Sequence, residues 1–172
     1  MVLSSAIHAG TQPCKCGLAS EVLRRFGALR LRVTGASMLP SIWPGDVVTI
    51  RSSRLPEVSR GDVVLFFRDG RFFVHRVLGV SADRLLTRGD SLPGPDPPVT
   101  SDELLGRIVS IAGVGATRAP SRLGSLTYLV ARAASHSTLF CNVLLRLHAL
   151  YRQLLRAVAF TAVFRPEAAW SN

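Results

Sequence analysis

Val63-Val64-Leu65-Phe66-Phe67-Arg68-Asp69-Gly70-Arg71-Phe72-Phe73-Val74-His75-Arg76-Val77 is the stretch on which the architecture turns. Two runs of aromatic and β-branched residues flank Asp69-Gly70, a dipeptide suited to a two-residue hairpin turn. The spacing predicts a strand from Val63 to Phe67 and a return strand from Arg71 to Val80. Working outward, Pro44-Gly45-Asp46 is a turn that feeds an apolar strand over Val47 to Arg51. Ahead of it, Leu29, Leu31 and Val33 alternate with Arg30, Arg32 and Thr34, the period of a half-buried strand from Ala28 to Thr34. On the far side, Leu85 to Thr87 and Leu104 to Ile111 read as strands, separated by a loop rich in proline and glycine. Gly113, Gly115 and Pro120 mark a boundary. Residues 28–112 therefore read as one mainly β, antiparallel domain.

The flanks have a different texture. Residues 1–17 read as a loose leader, and Ser20 is positioned to cap a short helix that ends near Gly27. Residues 121–165 read as helical. On a helical wheel Leu144, Leu147, Tyr151, Leu154, Leu155 and Val158 share one face, with Arg146, Arg152, Gln153 and Arg156 opposite. A preceding helix is expected over 123–138.

Composition narrows the function classes. The chain has 172 residues, 48% apolar and 19% charged, which argues against wholesale disorder. Its net charge of +10 rests on 20 arginines and a single lysine, Lys15. Arginine excess suits phosphate or anionic lipid, but here the arginines are spread along the chain, so nucleic acid is not an expected partner. Cys14 and Cys16 are spaced too tightly for a C-x-x-C zinc site and Cys141 is remote, so neither a metal centre nor a disulfide framework is expected. The N-terminus lacks the basic and apolar regions of a secretory signal. No run reaches the roughly 18–20 uninterrupted apolar residues of a membrane span. The best candidate, between Leu123 and Phe164, is broken by Arg132, His136, Arg146, Arg152 and Arg156. The expected location is membrane-associated or cytoplasmic.

Three segments carry chemistry. Gly35-Ala36-Ser37-Met38-Leu39-Pro40 places a serine at the mouth of a turn, His75 follows on an apolar strand, and Gly89-Asp90-Ser91 leads to Asp96. A serine hydroxyl is a weak nucleophile until a base takes its proton. Lys15 lies ahead of the β domain, and His8, His136 and His148 fall outside it, leaving His75 as its one histidine. Histidine works as a base near neutral pH without a large shift of its pKa, and a carboxylate on its second nitrogen fixes the tautomer. Asp90 and Asp96 are both candidates for that carboxylate.

This order of motifs resembles the catalytic boxes of type I signal peptidases, in their histidine-base branch from the endoplasmic reticulum and archaea, over about residues 33–111. Ser37-Met38 with Pro40, Gly45-Asp46, His75-Arg76-Val77 and Gly89-Asp90 stand in family order. The resemblance implies a signal-peptidase/SOS-repressor-like antiparallel β fold with a short N-terminal helix and an appended C-terminal helical segment. It implies a serine endopeptidase with Ser37 as nucleophile, His75 as base and, in preference to Asp90, Asp96 as the orienting acid. Asp90 and Arg76 would support the site, and Met38 and Gly35 would contact substrate. Gly35 stands where the family often has serine or threonine, so oxyanion stabilisation would rest on backbone N–H groups. No cofactor or metal is implied. The expected partner is an extended peptide with small side chains before the cut, together with an anionic membrane surface met by the C-terminal helix. Two further readings are a self-cleaving regulator of the SOS-repressor type, for whose DNA-binding domain residues 1–27 are too short, and a non-catalytic module that keeps the fold.

Overall fold

The computed structural model describes residues 13–113, 116–121, 129–131, 133 and 137–163. The chain divides into two units, Met1–His136 and Ser137–Asn172, and each is taken by itself.

The first unit opens with helix α1, Pro13–Phe26. The expected start at Ser20 is therefore wrong, and residues 13–17 belong to the helix rather than to a leader. Proline is well placed in a first turn because its missing N–H has no intrahelical partner there, and that signal prevails over the capping serine. The end is as expected: Gly27 adopts φ 72° and donates its N–H to the Leu23 carbonyl at 2.9 Å.

Eight strands follow: β1 Ala28–Arg32, β2 Val47–Ser52, β3 Val63–Arg68, β4 Arg71–Val80, β5 Arg84–Arg88, β6 Val99–Thr100, β7 Leu104–Ala112 and β8 Thr117–Arg118. They form one antiparallel sheet in the order β1-β2-β7-β3-β4-β5-β6, with β8 paired to β7. The β3–β4 hairpin runs in register from Val63 opposite Arg76 to Arg68 opposite Arg71. Its turn residues, Asp69 and Gly70, have φ 49° and 75°, the doubly left-handed geometry that follows the twist of the strands.

Both faces of the sheet are covered. Val63 and Leu65 join one core cluster with Val48, Ile50, Phe72, Val74 and Ile108. Val64 and Phe66 join another with Leu55, Val77, Leu85, Val99 and Leu104. That is why β3 is apolar at consecutive positions instead of alternating. β1, at the sheet edge, keeps the alternation, with its arginines exposed and its leucines packed on the first cluster.

The second unit contains α2, Thr138–Val163. Leu147, Tyr151 and Leu154 of the expected apolar face are exposed, Leu144 and Leu155 half-buried, and the side chain at 158 lies outside the described residues. Of the helix expected over 123–138, residues 129–131 and 133 are helical, Ser137 is not, and most of the others lie outside the described residues. Among the described residues no helix is long and apolar enough to cross a membrane.

Candidate active site

Ser37 stands in the turn between β1 and β2. Met38, Leu39 and Ile42 are fully buried beside it and fasten the turn to the domain. The Leu39 N–H donates to the Ala36 carbonyl at 3.1 Å and the Ile42 N–H to the Met38 carbonyl at 2.9 Å. Asp46 closes the following turn by accepting the Trp43 N–H on its carboxylate at 3.1 Å. Ser37 is 7% exposed, so it is largely shielded.

His75 lies midway along β4, 2% exposed, with its ring T-shaped to Phe66 at 5.8 Å and tilted against Phe73 at 5.9 Å between centroids. Its Nε2 is 3.1 Å from Ser37 Oγ, and its Nδ1 is 2.7 Å from Asp96 Oδ2. An ionised carboxylate only accepts, so Nδ1 carries the proton and Nε2 presents a lone pair to the serine hydroxyl.

Asp96 belongs to the loop between β5 and β6, and that loop is held from two sides. On one, the Asp96 N–H donates to the Thr87 carbonyl at 2.8 Å, and the Thr87 hydroxyl donates to Asp96 Oδ2 at 2.7 Å. On the other, Arg68 of β3 donates to the carbonyls of Pro97 and Pro98 at 3.0 and 2.8 Å. Arg68 also grips both oxygens of Glu103, which accepts the Thr100 N–H at 2.9 Å. Chiefly through the hydrogen bonds from Arg68, the Glu103 carboxyl is held down to about 2. Arg68 is correspondingly raised, chiefly by the same hydrogen bond.

Arg76, the next residue on β4, points to the other face. Its Nε and Nη2 donate to the two oxygens of Asp90 at 2.8 and 2.9 Å. Further bonds run to the carbonyls of Gly61 and Ser121 at 3.0 and 3.1 Å and to Ser41 Oγ at 3.3 Å. The segment around Asp90 in turn props the nucleophile turn. The Ser91 N–H donates to the Ser37 carbonyl at 2.9 Å, and the Ser91 hydroxyl to the Ala36 carbonyl at 2.8 Å. A Cβ at Gly89 would stand 2.7 Å from the Ser37 carbonyl oxygen, so only glycine allows this approach.

The structure thus brings Ser37, His75 and Asp96 into one hydrogen-bonded chain and joins Asp90 to Arg76 instead of to the imidazole. Met38, expected against substrate, is placed inside the core cluster with Val33 and Ile42 and has no open face. Gly35 is half-buried two residues before the serine. The Lys15 side chain lies outside the described residues. Sequence reasoning missed Thr87, Ser91, Ser41, Arg68 and Glu103. Thr87 is buried with Leu85 on the inward face of β5 while Leu86 is exposed, a facing that the Leu85-Leu86-Thr87 pattern does not announce. Among the described residues no group of three or more His, Cys, Asp or Glu is gathered to hold a metal.

No curated protein matches the chain. Residues 12–87, a stretch that contains both Ser37 and His75, match the model of the Peptidase S24-like family, and this supports an S24- or signal-peptidase-like family for the chain.

Proposed function

We propose that the chain is a serine endopeptidase that cuts leader-like or signal-peptide-like segments by a Ser37-His75-Asp96 mechanism. Ser37 Oγ attacks the scissile carbonyl while His75 Nε2 takes its proton and then passes it to the leaving amine. Asp96 keeps Nδ1 protonated and stabilises the imidazolium. A water molecule, activated by the same imidazole, releases the acyl group and restores Ser37. Backbone N–H groups at the turn, that of Ser37 among them, hold the oxyanion. The observation that carries this reading is the hydrogen-bonded chain from Ser37 Oγ through both nitrogens of the buried His75 ring to the half-buried Asp96, at 3.1 and 2.7 Å. The restriction to small side chains before the cut, and the extended pose along a strand edge, follow from the resemblance to signal peptidases. The test is cleavage of such a peptide by the purified full chain, with Ser37→Ala and His75→Ala as controls. Undiminished cleavage by either variant removes the mechanism.

The Peptidase S24-like match also favours self-cleavage, as in regulators of the SOS-repressor type. Incubating the chain alone separates the two readings. Self-cleavage within one molecule gives a first-order rate independent of protein concentration, abolished by Ser37→Ala, whereas the peptidase reading gives turnover of added peptide.

For α2 the reading is contact with an anionic membrane surface. The helix carries Arg146, Arg152 and Arg156 and no Asp or Glu, while Phe140, Val143, Leu147, Leu150, Tyr151 and Leu154 are exposed along its apolar side. The full chain should float with phosphatidylglycerol vesicles and not with phosphatidylcholine alone, and Leu147→Glu with Leu154→Glu should abolish flotation. Equal recovery of the wild type with both vesicle types overturns the reading.

A further inference from the structure

We infer that Thr87 is a positioning residue for the base, acting through Asp96; the inference rests on the peptidase reading above. Thr87 is 0% exposed, and it meets Asp96 twice, once through its carbonyl and once through its hydroxyl. The hydroxyl donates to Oδ2, the same oxygen that takes the Nδ1 proton of His75. Two donors on one carboxylate oxygen fix the rotation of the carboxyl group about its last bond. The imidazole is thereby aimed, because its other nitrogen must meet Ser37 Oγ. The backbone contact alone would locate the aspartate but leave that rotation free.

The shared oxygen has an electrostatic effect as well. A hydrogen bond into Oδ2 withdraws part of the charge with which Asp96 stabilises the imidazolium. Thr87 therefore moderates the acid while holding it. The charged groups around this arrangement are Asp96 itself, Arg68 of β3 with Glu103 of the turn before β7, and, across the sheet, Arg76 with Asp90. None of these donates to Oδ2, so within this set the moderation belongs to Thr87.

Thr87→Val isolates the hydroxyl, because it keeps the carbonyl that receives the Asp96 N–H and changes the side-chain shape little. Loss of one hydrogen bond to a charged group corresponds to a fall in kcat of about 10- to 100-fold. KM should change little, and the acid limb of the pH–rate profile should move to higher pH. Thr87→Ser, which restores the hydroxyl, should recover kcat to within about threefold and return the limb. Wild-type kcat with an unmoved limb in Thr87→Val overturns the inference. So does equal impairment of the valine and serine variants with an unmoved limb, which would make Thr87 a packing residue. Ser37→Ala separates this from the underlying reading. If that variant is inactive while Thr87→Val works normally, only the positioning role falls; if it cleaves undiminished, both fall.

Discussion

His75 and Arg76 are consecutive on β4, point to opposite faces of the sheet, and each meets an aspartate from the segment that follows β5. The two pairs are built differently. Arg76 and Asp90 form a bidentate ion pair whose carboxylate is 2% exposed, and the remaining guanidinium donors are taken by Gly61, Ser121 and Ser41. Such a pair has its hydrogen-bonding capacity filled from several sides, which suits a scaffold. The His75–Asp96 pair has a carboxylate 15% exposed and a ring whose two nitrogens meet different partners. Its far nitrogen faces a hydroxyl that can give up a proton. Adjacent positions on one strand thus separate the holding of the site from its chemistry.

Four measurements sharpen or break this contrast. The largest effect should come from the chemical side. Ser37→Ala is expected to lower kcat by on the order of 10⁶-fold and Asp96→Asn by about 10⁴-fold, both with an unchanged thermal midpoint. A comparable fall in stability would place Asp96 in the scaffold instead. On the holding side, Arg76→Ala leaves Asp90 buried without its counter-charge, and urea unfolding should show a loss of about 3–5 kcal/mol. Full stability in that variant would dissolve the distinction. Gly89→Ala lies between the two sides, since its methyl must displace the Ser37 carbonyl. A displacement of this size should cost up to about 10²-fold in kcat with KM nearly intact.

The smallest effect concerns Glu103. Its carboxyl is depressed from 4.5 to about 2 in the folded chain, so its contribution to stability is complete above its ordinary value. That contribution is lost as pH falls through about 2. Because the pair with Arg68 is partly exposed, the loss should be only about 1 kcal/mol. Acid titration of wild type against Glu103→Gln, followed by circular dichroism, reads it as a difference that closes toward low pH.

Local sequence carried most of the sheet and the central chain of the site. The Asp69-Gly70 turn dictates its hairpin, and the alternation of β1 marks an edge strand with one packed face. Ser37 stood out through the motif around it, and His75 as the one histidine of the β domain. What local pattern did not carry depends on distant partners. β6 and β8 are two residues each and exist because β5 and β7 supply their hydrogen bonds. Ser20 offers a capping side chain, but capping is worth only about 1 kcal/mol and an earlier proline start overrides it. Resemblance alone assigns Met38 to substrate, yet a turn pinned by its own apolar residues buries them. Arg68 and Glu103 are 35 positions apart, and nothing in either neighbourhood announces the other.

Proline has no backbone N–H, so Pro97 and Pro98 offer only their carbonyls, and Arg68 takes both. With Thr87 gripping the residue before them, Asp96 is anchored at both ends independently of the tip at Pro93, Gly94 and Pro95, which is exposed. Lengthening a loop between fixed ends costs only about 0.6 kcal/mol per doubling. The exposed tip is therefore free to vary in length and composition without Asp96 leaving the imidazole of His75.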